Sequence, residues 1–194
     1  MEVITVLNNF WWYLLYVKSN TEIRVVNEMT KFIENLSLSY KVEPFILESE
    51  QYYRNKKYQA IGKTYQKRPL FPGYVFIETN MPDVEFIRVF YDYINKSSSI
   101  IKLLSSGHHN KLAIADDEKA RLEYWCLGRR CISHSEGYIE GENIVIVSGP
   151  LVGKEGVIKR INRHNRCADV ELEFLGQKQS IKVALEIIKK ATIN

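Results

Sequence analysis

The last part of the chain has a different pattern of apolar and turn residues from the rest, and this change constrains the fold most. Residues 141–194 consist of short apolar and β-branched segments, with turn residues such as Gly149 and Pro150 between them. Several short strands at this spacing are typical of a small antiparallel barrel. The predicted strands are residues 144–147, 156–161, 168–174 and 179–183, with 185–188 as a last one.

The first part of the chain mixes strand and helix patterns. Residues 11–17 are aromatic and β-branched and predict a buried strand, and three further strands are predicted at 42–47, 74–78 and 100–104. Thr21 is expected to cap a helix over 21–38, and its predicted apolar stripe is Ile23, Val26, Met29, Ile33 and Leu36. The order of elements predicts an α+β sheet with helices packed on it.

Two more helices are predicted from local signals. Pro82 suits a first helical turn, and the stripe of that helix is predicted to be Val84, Ile87 and Phe90 or Tyr91. Asp116 is expected to start a helix to about residue 127, with Ala120 and Tyr124 on one face.

Residues 128–141 contain three Gly and two Ser and show little periodicity, which favours a linker. The predicted organisation is a domain at 1–127, a linker at 128–140 and a second domain at 141–194.

Composition is ordinary for a folded protein. The chain has 194 residues, 45% of them hydrophobic and 26% charged, with a net charge of +4. These values exclude wholesale disorder. The apolar stretch at 10–17 is too short for a membrane helix and the start of the chain lacks positive charge, so we expect a cytosolic protein without a membrane partner.

Signals for catalysis or metal binding are weak. Cys126, Cys131 and Cys167 are an odd number and do not predict a disulfide framework. The spacing of the first two with His134 does not complete a standard zinc motif, and His108-His109 is expected to be an exposed turn. The sequence contains no Gly-rich phosphate loop or nucleophile elbow. We therefore expect neither an enzyme nor a cofactor or metal.

Two motifs resemble a known family. Residues 67–76 (KRPLFPGYVF) resemble the FPGYV signature of the NusG family of transcription elongation factors. Trp12-Tyr13, followed by Lys18, Ser19 and Glu22, is similar to the opening strand and helix start of that family. Residues 141–158 (GENIVIVSGPLVGKEGVI) resemble a KOW motif. The resemblance implies an N-terminal NGN domain, an antiparallel sheet flanked by helices, and a C-terminal SH3-like KOW barrel.

Within the family, residues 148–156 (SGPLVGKEG) resemble the specialised NusG paralogs called LoaP. Housekeeping NusG proteins usually have Phe, which contacts a ribosomal protein, at the position of Leu151. The resemblance implies an antiterminator that recognises an RNA hairpin in the nascent leader transcript. It leaves open whether the chain retains ribosome or termination-factor binding.

The resemblance also implies that the NGN domain docks on the clamp helices of the largest subunit of RNA polymerase. An exposed aromatic patch suits this task. Alternation along strand 74–78 predicts that only one set of its side chains is buried. Gly73 is expected to supply a turn conformation before that strand. The matching polymerase-binding positions are Tyr13, Phe71, Tyr74 and Phe76.

Residues 51–77 carry six basic residues and no acid, with tyrosines interleaved. Basic side chains neutralise phosphates and aromatic rings stack on bases, so we expect a long flexible loop near upstream DNA or emerging RNA. A solvated loop without a partner is the alternative. The basic residues are Arg54, Lys56, Lys57, Lys63, Lys67 and Arg68.

The predicted barrel has a second basic cluster. Its turn at residues 163–166 is expected to lie opposite the end that carries Lys154 and Lys178. Arginine can pair with a guanine edge, so RNA recognition is assigned to the turn and support to the lysines. A merely soluble basic surface is the alternative. The predicted RNA-binding residues are Lys154, Lys159, Arg160, Arg163, His164, Arg166 and Lys178.

These expectations combine into a monomeric bacterial antiterminator that binds RNA polymerase and a nascent RNA hairpin, with upstream DNA as a further partner. A general NusG factor without RNA specificity and a ribosome-associated KOW protein are the alternatives. The tail is expected to be a constitutive barrel rather than a helical, fold-switching segment.

Overall fold

The computed structural model describes residues 10–53, 64–105 and 111–188. They fall into two compact units. The first comprises residues up to Ile46 together with Pro72–Lys119, and the second comprises Leu47–Phe71 together with residues from Ala120 onward. The expected turn at His108-His109 and the basic residues Arg54, Lys56, Lys57 and Lys63 lie outside the described residues.

Three α-helices and twelve strands are present in the described residues. The elements up to residue 104 are β1 (Trp11–Val17), α1 (Glu22–Glu34), β2 (Val42–Phe45), β3 (Glu48–Tyr53), β4 (Thr64–Pro69), β5 (Tyr74–Thr79), α2 (Asp83–Lys96) and β6 (Ile100–Leu104). The remaining elements are α3 (Asp116–Cys126), β7 (Cys131–Ile132), β8 (Ser135–Glu140), β9 (Asn143–Ser148), β10 (Ile158–Asn162), β11 (Cys167–Phe174) and β12 (Gln177–Ile187). Among these residues, no helix is both long and apolar enough to cross a membrane.

The first unit is built on an antiparallel sheet with strand order β2-β5-β1-β6. Its main core includes Val25 and Met29 of α1, Phe86 and Phe90 of α2, and inward residues of β1 and β5. Burying one such side chain contributes roughly 1.5–3 kcal/mol of stability. The α+β prediction for this part is confirmed.

Helix α1 ends earlier than the predicted residue 38. The amide side chain of Asn35 donates to the carbonyl oxygen of Lys31 at 2.7 Å. The Leu36 N–H bonds to the Ile33 carbonyl, three residues back, so the last turn tightens. Thr21 does lie at the N-cap position, but its hydroxyl donates to the Lys18 carbonyl oxygen instead of capping the helix.

The predicted helix stripes were partly wrong. Ile23 of α1 is 62% exposed and Val84 of α2 is 79% exposed, whereas Phe86 and Ile94 are buried. Helical spacing allows several registers of one stripe, and the packing against the sheet selects among them.

Both faces of β5 are buried, contrary to the prediction that only one would be. Val75, Phe76 and Ile77 each have 0% exposure. Val75 and Ile77 belong to the core described above, while Phe76 packs with Trp12 and Phe45 on the opposite face. An antiparallel strand loses its polar alternation when both sheet faces are covered.

The prediction of a long flexible loop over 51–77 was wrong for the described part. β3 and β4 form an antiparallel pair, and β7 adds to β3 as a parallel strand. The pair is rich in polar residues, so its sequence lacks the apolar signal of a strand.

The segment predicted as a linker, 128–140, contains the two strands β7 and β8. β8 pairs with β12 and with β9. The complete sheet has the order β10-β11-β12-β8-β9, and its β12–β8 pair is parallel, so the predicted barrel is not wholly antiparallel. The two strands predicted after residue 178 are one continuous strand, β12.

Two glycines are required by geometry. Gly73 has φ +88°, and its N–H donates to the buried carboxylate of Glu22 at 2.6 Å, which confirms its predicted turn role. Gly149 has φ +89°, and a Cβ there would overlap the carbonyl oxygen of His134 and lie 2.6 Å from the Ser135 hydroxyl oxygen.

Candidate polymerase and nucleic-acid interfaces

Tyr13, predicted as part of an exposed patch, is fully buried in the first unit. Its ring stacks on Phe86 with centroids 3.9 Å apart. Its hydroxyl donates to Asp83 Oδ1 at 2.7 Å and lies 3.0 Å from the Met81 carbonyl oxygen. Burial, with Asp83 adding to it, raises the pKa of Tyr13 far above its ordinary value. Tyr13 is therefore a core residue in this conformation.

Phe71 and Phe76 are also buried. Phe71 stacks on Phe174 within the second unit, with ring centroids 4.0 Å apart and planes 14° from parallel. Phe76 lies 5.4 Å from Phe45 and 5.7 Å from Trp12 between ring centroids. The expectation that these rings form an exposed patch was wrong for this structure, because each has aromatic neighbours that cover it.

Of the four predicted polymerase-binding residues, Tyr74 is the one that stays partly exposed. Its ring lies 5.5 Å from that of Tyr16, which is 37% exposed. Tyr16 faces Tyr74 on β5 and Lys102 on β6, so the three residues form one row across the sheet. Burial, and to a smaller extent Tyr16, raises the pKa of Tyr74. We call these three residues the tyrosine row.

Sequence reasoning missed Tyr16 and Lys102. A cross-strand row depends on strand order and register, and neither is visible in a local pattern. Pairing the segments 11–17 and 74–78 as antiparallel neighbours would have found Tyr16.

Part of the positive charge that the sequence predicts for the barrel surface is neutralised in the structure by nearby carboxylates. Glu171 of β11 lies between Lys178, at 3.0 Å, and Lys159, at 3.9 Å. The Lys178 ammonium donates a hydrogen bond to Glu171 and lowers the pKa of that carboxyl below its ordinary value. Asp169 lies 3.9 Å from Lys182 in the same way. Carboxylates of the neighbouring strand thus balance part of the predicted RNA-binding surface.

Lys154 has close partners of its own. Its ammonium donates to the Pro150 carbonyl oxygen at 2.7 Å and lies 3.9 Å from the centre of the Tyr124 ring. Trp125 contributes a second ring at 5.4 Å. These contacts direct Lys154 toward the protein.

The turn between β10 and β11 presents the most exposed part of the predicted RNA-binding set. Arg163, His164 and Asn165 are exposed, as is Arg160 on β10. The side chain of Asn162 accepts the Asn165 N–H at 2.9 Å and holds the turn in shape. The β11–β12 register places Lys178 at the other end of the strands, as predicted.

Arg166, the last residue of this turn, is half-buried and contacts an aromatic ring and a carboxylate. Its guanidinium lies 4.5 Å from the centre of the Tyr52 ring, and Nη1 lies 3.9 Å from Glu186 Oε1. Lys67 lies 3.6 Å from Glu48 but is exposed, as is Arg68. Of the two predicted arginine contacts in the turn, Arg163 is the outward one.

The cysteines are not arranged for metal binding. Among residues 10–53, 64–105 and 111–188, no group of three or more His, Cys, Asp or Glu side chains could hold a metal ion. Burial raises the pKa of Cys126 to about 12, so its thiol stays protonated near neutral pH.

Comparison with known proteins matches two family models. The model described as "Transcription termination factor nusG" matches residues 10–123, and the KOW motif model matches residues 140–173. Transcription termination/antitermination protein NusG of Treponema pallidum is 24% identical over 185 residues, 93% of this chain and 91% of that protein. NusG of Thermus thermophilus is 21% identical over 182 residues, 93% of this chain and 98% of that protein.

A solved structure concerned with domain interaction in Thermotoga maritima NusG has a similar fold. Its TM-score is 0.55 at 22% identity, with 92% of this chain and 94% of that chain covered.

Proposed function

Because this chain belongs to the NusG family of transcription factors, we propose that it is a processive antitermination factor of the specialised LoaP type. In this proposal the NGN part binds the clamp helices of RNA polymerase, and the KOW part binds a hairpin in the nascent RNA. Two linked contacts of modest strength bind more tightly than either alone.

The observation that carries the RNA part of the proposal is the exposed turn at Arg163, His164 and Asn165. A guanidinium, an imidazole and an amide can form hydrogen bonds with base edges. These edges are accessible in RNA loops, whereas in duplex RNA they lie in a deep groove that side chains do not reach. Arg160 extends this surface along β10. The lysines of the barrel, which lie beside carboxylates, contribute less.

Leu151 supports the distinction from housekeeping NusG. Its side chain is fully buried, and its N–H donates to the Ser135 hydroxyl oxygen at 3.1 Å. A buried aliphatic residue at this position does not offer the aromatic contact that the resemblance associates with ribosome coupling.

The tyrosine row supports polymerase binding. Two partly exposed aromatic rings beside a lysine suit a helical partner with apolar ridges and acidic side chains. Phe71, Tyr13 and Phe76 remain proposed by family resemblance, although their rings are buried in this conformation. Upstream DNA remains a further proposed partner.

The test is a pair of binding measurements on the full chain. One uses RNA polymerase core enzyme, and the other uses RNA stem-loops with intact and scrambled loops, over a range of salt concentrations. Loop-dependent binding that Arg163→Ala weakens at least tenfold supports the proposal. Weak binding that ignores the loop and falls steeply with salt supports a general NusG factor instead. Preference for ribosomes over polymerase would favour the ribosome-associated alternative.

A further inference from the structure

Glu22 is a buried acidic residue that the proposed function does not use. It lies in the first turn of α1 and is only 3% exposed. Its Oε1 accepts the backbone N–H of Gly73 at 2.6 Å. A carboxylate in the protein interior is costly unless it is hydrogen-bonded, and the positive N-terminal end of a helix helps to stabilise it. Glu22 therefore links the start of α1 to the turn that carries Gly73.

Gly73 is held on both sides of its Cα. Its N–H donates to Glu22, and its carbonyl oxygen accepts the Val17 N–H at 2.8 Å. Its φ of +88° is a conformation that glycine adopts readily and other residues avoid. The two hydrogen bonds fix the turn relative to α1 and to the end of β1, immediately before Tyr74 begins β5.

The same turn lies against Tyr16. A Cβ on Gly73 would be 3.2 Å from Cε2 of the Tyr16 ring, so only a glycine lets the backbone come this close to the ring without displacing it. The Tyr16 ring lies 5.5 Å from that of Tyr74, between centroids. Both aromatic members of the tyrosine row therefore depend on where this turn is held, because Tyr16 packs against it and Tyr74 follows it in the chain.

The pairing of β1 with β6 is irregular at the same place. Tyr16 pairs with Lys102 but Val17 pairs with Ile100, so Ile101 is an extra residue of β6 at this point. An irregularity of this kind interrupts the regular ladder and changes the direction of side chains. The β6 side of the sheet therefore constrains Tyr16 less than a regular pair would, and the turn at Gly73 supplies part of the constraint.

We infer that Glu22 is a positioning residue of the polymerase-binding surface: its carboxylate holds the Gly73 N–H, and through this turn it fixes the Tyr16 and Tyr74 rings where a helical partner contacts them. This inference rests on the proposed function of the tyrosine row. Glu22 itself is buried and acts through Gly73 rather than by touching the partner.

The first test measures binding of the full chain to RNA polymerase core enzyme. Glu22→Ala removes the acceptor and is expected to weaken binding about tenfold, as for loss of a hydrogen bond to a charged group. Glu22→Gln keeps a carbonyl oxygen of the same reach and should restore binding to within about threefold of the unmodified chain. Glu34→Ala, which removes an exposed carboxylate from the same helix, is the matched control and should leave binding unchanged.

Glu22→Asp separates the hydrogen bond from the charge. It keeps a carboxylate in the first turn of α1 but shortens the side chain by one methylene, so the carboxylate no longer reaches the Gly73 N–H. We expect binding to fall as in Glu22→Ala. Thermal unfolding checks that each variant is folded, and Glu22→Asp carries the test if Glu22→Ala does not fold.

The second test asks whether Glu22 acts through the tyrosines. In a Tyr74→Ala background, Glu22→Ala should weaken polymerase binding much less than it does alone, because the tyrosine row is already broken. NMR contacts between the Tyr16 and Tyr74 rings should weaken in Glu22→Ala. RNA affinity should stay unchanged, since Arg163 lies in the other compact unit.

The outcomes distinguish the inference from the function beneath it. Unmodified polymerase affinity in folded Glu22→Ala or Glu22→Asp would overturn the inference and leave the proposed function standing. A loss that adds in full to that of Tyr74→Ala would do the same, because it would show a general loss of stability. Failure of the unmodified chain to bind polymerase, or full affinity in Tyr74→Ala, would overturn the proposed role of the tyrosine row and the inference with it.

Discussion

At the scale of single residues, burial and backbone geometry separate the roles of similar side chains. Tyr13, Tyr16 and Tyr74 all lie on two paired strands, yet Tyr13 is buried with its hydroxyl on a carboxylate while Tyr16 and Tyr74 meet solvent. Residue type alone favours burial for large aromatics, and only the position on the strands decides which ring is available to a partner.

Gly149 provides a direct test of backbone constraint. Gly149→Ala places a Cβ against the His134 carbonyl and forces a positive φ on alanine, so we expect a loss of about 2 kcal/mol or more in the free energy of unfolding. Urea unfolding monitored by tryptophan fluorescence measures it. Gly156→Ala, where the added Cβ meets open space and φ is ordinary, should change stability by less than about 1 kcal/mol. Equal losses in both variants would contradict the argument.

Cys126 gives a prediction about pH. Burial raises the pKa of its thiol from 9.0 to about 12, with smaller contributions from Cys131 and Glu123. Above pH 9 the unfolded chain ionises this thiol while the folded chain does not, so the unfolded state binds fewer protons and stability falls as pH rises. The slope from this group is at most about 1.4 kcal/mol per pH unit.

In the Cys126→Ala variant, the free energy of unfolding should therefore fall less steeply with pH in the interval between those two pKa values. Urea unfolding of the variant and the unmodified chain across that interval measures the difference. A parallel loss in both proteins would show that the thiol is not the group responsible. The other buried thiols and phenols with raised pKa values keep part of the dependence in both proteins; they are Tyr13, Tyr74, Tyr93, Cys131 and Cys167.

At the scale of elements, β11 shows how one strand changes the net charge of the surface that it forms with its neighbouring strands. Lys159 of β10 and Lys178 of β12 flank its Glu171, so a basic run in the sequence becomes a mixed surface in the sheet. Counting charge along the chain therefore overestimated the positive potential of this face.

Glu171→Gln is expected to raise the affinity for RNA by a factor of about two to five and to steepen its salt dependence, because two lysines lose their carboxylate. Filter binding at several salt concentrations measures both effects. Glu34→Gln, at an exposed position of α1, changes net charge equally and serves as the control. An equal gain in both variants would show a general charge effect rather than one of β11.

At the scale of the whole molecule, the proposal requires two separable binding activities in one chain. Tyr74 and Arg163 lie in different compact units. We expect Tyr74→Ala to weaken polymerase binding about tenfold with little change in RNA affinity, and Arg163→Ala to do the reverse.

Readthrough of a terminator downstream of the RNA hairpin measures the combined effect. Each single variant should require a higher protein concentration for half-maximal readthrough, and the double variant should lose readthrough at concentrations where the singles retain it. If Arg163→Ala leaves readthrough unchanged while RNA binding is lost, the hairpin contact does not contribute to function.

Local patterns predicted much of the fold. β1 and β6 have the expected bounds, α3 begins where Asp116 indicated, and the barrel strands lie close to their predicted positions. These elements have strong local signals: β-branched runs, first-turn acids and turn residues. β3, β4, β7 and β8 were missed because their strands are short or polar, and because β7 and β8 each pair with a strand that is distant in the sequence.

The sequence by itself determined the family, the order of the two motifs and the approximate positions of most elements, because these depend on residue type and local spacing. Only the tertiary structure decided which predicted site residues are available. It buried Tyr13, Phe71 and Phe76, placed Glu171 between two lysines and engaged Arg166 with Tyr52. Exposure and pairing are set by residues far away in the chain, and no local pattern contains that information.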